Sequence, residues 1–207
     1  MNLFEKLAQE RILPVLVIEN AADAVPLAKA LLAGGLSFAE VTFRTAAAEE
    51  SIRQIAKELP DVIVGAGTVV NTTQADAAVA AGAKFLVSPG LNPAVVKRAI
   101  ELNVPIFPGC ITPTEIEAAM ALGITAVKFF PAQQAGGVDF IKACSGPYPD
   151  LKFVPTGGVS TENLAQYLAL DCVLACGGSW MAPPNLITAQ DWDGITQLCK
   201  EACASKI

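Results

Sequence analysis

Eight short β-rich runs recur along the chain, separated by longer segments rich in alanine and leucine. The runs are ILPVLVI from Ile12, SFAEVTF from Ser37, DVIVGAG from Asp61, KFLVSP from Lys84, VPIFPG from Val104, ITAVKFF from Ile124, LKFVPTG from Leu151 and CVLACGG from Cys172. The intervening segments, such as AADAVPLAKALLAGG, AAAEESIRQIAKELP, NTTQADAAVAAGA and STENLAQYLAL, have helical spacing, and several open on Asn, Ser or Thr caps. Alternating strands and helices imply parallel pairing through right-handed crossovers, and eight such units predict an α/β fold closed as a (β/α)8 TIM barrel. An extra N-terminal helix over residues 2–11 is expected to cover its bottom, with the last outer helix running from Asp191 to Ala204. The alternative is an open doubly wound sheet, which usually carries G-x-G-x-x-G; here Gly65 and Gly67 are followed by Val70 where the third glycine belongs. No linker or low-complexity segment interrupts the rhythm, so residues 1–207 read as one domain.

Charge and residue usage narrow the functions. The net charge of -6 gives no long-range attraction to nucleic acid or to an anionic membrane. The opening MNLFEKLAQERILPVLVIEN lacks the basic region, long apolar stretch and cleavage site of a signal peptide. The longest uncharged stretch, Cys172 to Gln190, is broken by two glycines and two prolines. A cytoplasmic protein is expected. Its six cysteines form no C-x-x-C pair; Cys172 and Cys176, placed on one strand, would stand about 13 Å apart, too far to share a metal. They read as reduced, small apolar residues. The chain has no histidine, which removes Ser-His and Cys-His pairs and leaves proton transfer to carboxylates, lysine, tyrosine or water.

One lysine stands inside an apolar run, AVKFFPA from Ala126. An ordinary lysine at a strand end reaches water along its stem, whereas a buried amine needs an anionic partner or must lose its charge. Strand alternation indicates which applies. In SFAEVTFR, Ala39, Val41 and Phe43 form an apolar face that should meet the helices, which sends Glu40 and Arg44 into the barrel. Arg44 lies nearer the carboxyl end, where active sites of this architecture sit. In ITAVKFF, Lys128 shares a face with Ala126 and Phe130 and also points inward. Glu40 and Lys128 are therefore either an internal ion pair or a reactive amine beside an acid/base.

Two glycine pairs follow the last strands, in PTGGVS from Pro155 and CGGSW from Cys176. Loops at those positions of a (β/α)8 barrel commonly hold phosphate, on backbone N–H groups and helix N-termini.

With these residues in place the chain resembles the 2-keto-3-deoxy-6-phosphogluconate (KDPG) and 4-hydroxy-2-oxoglutarate (KHG) aldolase family. GLSFAEVTFR from Gly35 is similar to the family's signature around its catalytic glutamate, and GITAVKFFPAQQAG from Gly123 to that around its Schiff-base lysine. VGAGTV, SPG, FPG, PTGG and GGSW continue the likeness over nearly the whole chain. The resemblance implies a class I aldolase that cleaves KDPG to pyruvate and glyceraldehyde 3-phosphate in the Entner–Doudoroff pathway. Lys128 is then the imine former and Glu40 the acid/base, while Arg44 and Thr68 hold the substrate carboxylate. Gly157, Gly158, Gly178 and Ser179 are implied at the phosphate, and Thr156, Pro89 and Phe130 along the pocket. Neither metal nor other cofactor is implied, the partners are a phosphorylated 2-keto acid and pyruvate, and the assembly is a homotrimer. Gln133 stands where family members often have glutamate, a difference that bears on fine specificity.

Other substrates in the same class are KHG and the galactonate epimer of KDPG. A phosphate-sugar isomerase or epimerase on the same barrel would keep the glycine loops without needing Lys128 as an imine former. A non-enzymatic trimeric scaffold would leave Lys128 and Glu40 unexplained.

Overall fold

The structure, a computed structural model, describes residues 1–206. Eight parallel strands follow in chain order: β1 (Ile12–Leu16), β2 (Phe38–Thr42), β3 (Ile63–Gly67), β4 (Leu86–Val87), β5 (Ile106–Phe107), β6 (Ala126–Phe129), β7 (Lys152–Pro155) and β8 (Cys176–Gly178). Each falls within one of the eight β-rich runs. A helix α1 (Leu3–Glu10) precedes β1, and α2 (Ala24–Ala33), α3 (Ala48–Glu58), α4 (Thr72–Ala80), α5 (Pro93–Glu101), α6 (Pro113–Ala121), α7 (Gly137–Ser145) and α8 (Leu164–Leu168) fill the connections between strands. A short α9 (Pro184–Thr188) and the longer α10 (Trp192–Ala204) follow β8.

Helix starts follow their caps. Asn2 and Glu5 form a reciprocal capping box on α1, Thr112 and Glu115 do the same on α6, and Asn71 and Asn92 accept from the first turns of α4 and α5. The STENLAQYLAL segment is the exception. Its helix is confined to five residues, because Asn163 spends its side chain on Ser160 N and Gly158 O and Ser160 Oγ accepts from Glu162 N in a local turn.

The strands pair as a six-stranded parallel sheet in the order β5-β4-β3-β2-β1-β8 and a two-stranded sheet β6-β7. Single bridges link them: Gly109 with Lys128 at one side, Phe153 with Val173 and Thr156 with Gly177 at the other. The register sets Glu40 opposite Val15 and Gly65, and Lys128 opposite Val154. Cys172 lies outside β8, so the one-strand spacing expected for Cys172 and Cys176 does not hold; the turn ending at Val173 delays the strand to Cys176.

The strand faces divide the core. Ala39, Val41, Val127 and Phe129 belong to a large apolar cluster shared with α2, α3, α5 and α10. A smaller cluster takes Leu13, Phe38, Phe85, Phe107, Ala126, Val154 and Leu174 from the opposite faces, with Leu7, Leu3, Phe4 and Ala8 of α1 packed on it. Glu40 and Lys128 share faces with Phe38 and Ala126, on the side away from α2, α3, α5 and α10.

Candidate active site

β2 and β6 bring two side chains 88 residues apart in sequence into contact. Lys128 Nζ lies 3.5 Å from Glu40 Oε1, with Lys128 only 3% and Glu40 1% exposed. Burial of both charges removes water as a partner, so each depends on the other and on what else enters the site. Nζ stands 5.1 Å from the centre of the Phe130 ring, within reach of its electron-rich face. Glu40 Oε2 is buried and has no hydrogen-bond partner among the described residues. A carboxylate oxygen left bare in this way costs free energy, and such groups concentrate where chemistry is done. Room for Glu40 comes from Gly67: a Cβ there would stand 2.7 Å from Glu40 Cγ and 2.8 Å from its Cδ.

Arg44, just beyond β2, donates from Nε to Thr68 Oγ1 at 3.1 Å. Thr68 has φ 56, a left-handed conformation uncommon for a β-branched residue, at the point where the chain leaves β3. The terminal nitrogens of the guanidinium are left for a further acceptor.

Arg44, Phe130, Thr156, Gly157, Gly158, Gly178 and Ser179 line one cavity of about 420 Å³, together with Val15, Val17, Val159 and Trp180. The sequence thus placed seven of its candidates on a common wall. Glu40 and Lys128 form the buried pair on the strands below Arg44 and Phe130, and Thr68 reaches the site through its bond to Arg44. Pro89 is not on that wall; its carbonyl packs closely against Gly109, before the bridge to Lys128. Gly157 and Gly158 have φ 93 and 76, which only glycine adopts without strain. This corner is loop backbone, since α8 begins only at Leu164.

Val159, Trp180, Gly67 and Asn163 escaped the sequence reading. Gly67 could have been found as the second glycine of VGAGTV, in a strand where a glycine signals close approach of a neighbour. Three of the thiols are suppressed as nucleophiles by packing: burial pushes Cys110, Cys176 and Cys199 up to about 12. Among the described residues no three or more Cys, Asp or Glu side chains are grouped as metal ligands, and no helix is long and apolar enough to cross a membrane.

Fold and site together define an α/β protein of parallel strands with a lysine amine buried beside a glutamate. A sequence profile described as "Aldolase: KDPG and KHG aldolase" matches residues 3–198. The 2-dehydro-3-deoxy-phosphogluconate aldolase of Treponema pallidum (strain Nichols) is 50% identical over 201 residues, 97% of this chain and 96% of that protein. The crystal structure of KDPG aldolase from Legionella pneumophila, with pyruvate captured at low pH as a covalent carbinolamine intermediate, is similar with a TM-score of 0.93, 39% identity and 97% of both chains covered. That of the Zymomonas mobilis ZM4 KDPG aldolase with 3-phosphoglycerate has a TM-score of 0.91 and 40% identity, covering 99% of this chain and 96% of that one. The chain belongs to the KDPG and KHG aldolase family.

Proposed function

We propose that the protein is a class I aldolase that cleaves KDPG to pyruvate and glyceraldehyde 3-phosphate, the step that completes the Entner–Doudoroff route. The observation that carries this reading is the buried contact of Lys128 with Glu40, whose second oxygen has no partner among the described residues. Breaking a carbon–carbon bond beside a ketone needs a sink for the electron pair. Lys128 Nζ attacks the C2 carbonyl carbon, and Glu40 moves the protons as the carbinolamine loses water to become an iminium. Glu40 then takes the C4 hydroxyl proton; the C3–C4 pair flows to the iminium nitrogen, and glyceraldehyde 3-phosphate leaves. Protonation of the enamine at C3 and addition of water return pyruvate and the free amine. The water lost on imine formation is regained at this step.

Arg44 suits the substrate carboxylate because its planar fork donates two parallel bonds, and its bond to Thr68 fixes the plane. The phosphate is assigned to Gly157, Gly158, Gly178 and Ser179, and the pocket to Thr156, Phe130 and Pro89; all of these but Pro89 line the cavity of about 420 Å³. The carbinolamine of the Legionella pneumophila relative and the 3-phosphoglycerate of the Zymomonas mobilis relative support a keto-acid end and a phosphate end. We read the two sheets and their bridges as one closed (β/α)8 barrel in a single domain over residues 1–207, with α1 across its bottom. Our reading further includes a homotrimer in the cytoplasm that works without metal or other cofactor.

The test is pyruvate release from three substrates in parallel: KDPG, its galactonate epimer and KHG. Preference for KDPG by at least about tenfold in kcat/KM, the discrimination one well-placed contact supplies, is expected. Faster release from KHG would overturn the phosphate assignment, and release from none would overturn the aldolase reading.

A further inference from the structure

The loop that carries Gly157 and Gly158 is fastened from behind. Gln133 N donates to Gly157 O at 3.0 Å, and Asn163 Nδ2 donates to Gly158 O at 2.9 Å. Gln133 is held in turn by Tyr167, whose hydroxyl donates to its Oε1 at 3.1 Å. Asn163 is held by Ser160 N, which donates to its Oδ1 at 2.9 Å. Contact is close enough to demand glycine: a Cβ on Gly158 would stand 2.5 Å from Gln133 Cβ. Tyr167 is fully buried, and burial raises its phenol further above the ordinary value, which keeps the hydroxyl a donor at any physiological pH.

Peptide planarity converts these bonds into an aim. In a trans peptide the C=O and the next N–H point in opposite directions. A Gly157 carbonyl drawn toward Gln133 therefore turns the Gly158 N–H the other way, and a Gly158 carbonyl drawn toward Asn163 turns the Val159 N–H with it. Neither N–H has a hydrogen-bond partner among the described residues. The fastening residues Gln133, Asn163 and Tyr167 line a separate cavity of about 550 Å³ behind the loop, whereas Gly158 and Val159 line the active-site cavity in front. The two donors thus face the substrate side.

We infer that Asn163, with Gln133 and Tyr167, is a positioning residue for the phosphate end of the substrate: it touches no substrate and sets affinity by aiming the Gly158 and Val159 N–H groups. Val159 becomes a phosphate donor through its backbone. This rests on the aldolase reading given above, and the two fail in different ways. Asn163 is half-buried and borders the rear cavity, so its truncation opens onto space already there, and Tyr167→Phe keeps the buried ring while removing only the hydroxyl.

The experiment compares wild type, Asn163→Ala and Tyr167→Phe on KDPG and on unphosphorylated KHG, with borohydride trapping of pyruvate as the measure of imine formation. Asn163→Ala is expected to raise KM for KDPG about tenfold, the equivalent of one well-made hydrogen bond to an anion, with kcat within about twofold. Its KM for KHG and its pyruvate trapping should stay at wild-type values. Tyr167→Phe should show the same split at about threefold, since one neutral bond is lost one step further back. Equal changes for both substrates, or no change for KDPG in both variants, would overturn the inference. Failure of wild type itself to trap pyruvate or cleave KDPG would instead count against the aldolase reading.

Discussion

Gly67 lies in β3, where its backbone has ordinary strand geometry, so alanine is conformationally acceptable there. What forbids a methyl group is Glu40. The added Cβ would stand 2.7 Å from Glu40 Cγ and 2.8 Å from Cδ, nearer still to Oε1, whereas ordinary carbon contacts begin at 3.4 Å. Glu40 must retreat by the difference at Cγ, 3.4 − 2.7 = 0.7 Å, and its carboxylate, further out on the lever, by about 1 Å, a displacement that costs on the order of 10²-fold when it misaligns reacting groups. Overpacking of this kind also destabilises by about 1–3 kcal/mol, which leaves a domain of this size folded. Gly67→Ala should therefore lower kcat for KDPG cleavage by about 100-fold, while KM moves by less than about threefold because Arg44 and the glycine loop are untouched. Adding Glu40→Asp, which shortens the side chain that the methyl meets, should make Gly67→Ala nearly silent, so that the double variant is no slower than Glu40→Asp alone. Circular dichroism and a melting curve establish that the variant is folded. A folded Gly67→Ala protein with wild-type kcat would refute the claim that the position of Glu40 matters to turnover.

Glu40→Gln removes the acid/base but keeps the shape, so turnover should fall by about 10²- to 10⁴-fold while pyruvate can still be trapped on the protein by borohydride; full activity would remove Glu40 from the mechanism. Arg44→Lys keeps the charge but loses the planar fork and the bond to Thr68, and should raise KM for KDPG about tenfold with a smaller effect on kcat, read from initial rates of pyruvate release. Cys176 stays protonated in the folded chain up to about 12, while an unfolded thiol ionises from about 8.5. Between those values the unfolded state binds fewer protons, so the stability present below the unfolded value is lost as pH rises. Urea unfolding from pH 9 to 11 should show Cys176→Ala losing about 1.4 kcal/mol less per pH unit than wild type, and parallel curves would contradict the burial argument.

Much of this molecule could be read from residue order because period and chemistry agreed. All eight strands lie inside the β-rich runs, and the two-residue alternation in SFAEVTFR and ITAVKFF is enough to put Glu40 and Lys128 on one side of their strands and Val41 and Val127 on the other. Arg44 and the two glycine pairs were legible for the same reason, as polar or bare positions at strand ends. What sequence could not supply was contact at a distance. The fit of Gly67 against Glu40 needs the β2–β3 register, and the bonds of Gln133 and Asn163 to the glycine carbonyls need the loops after β6 and β7 folded together. Pro89 was named through family resemblance alone; like Glu40 and Lys128 it does not line the cavity of about 420 Å³, and its carbonyl packs against Gly109. The helix expected across STENLAQYLAL shrank to Leu164–Leu168 because the Asn163 side chain bonds Ser160 N and Gly158 O instead.

The most direct test of the account is the covalent bond itself. Wild-type protein is incubated with pyruvate and sodium borohydride, and the product is weighed and then digested to map the modification. The prediction is one reduced pyruvate per chain, borne on Lys128 and lost in Lys128→Ala. An unchanged mass from protein that is cleaving KDPG, or an adduct on another lysine, would contradict the assignment of that amine as the bond-forming group.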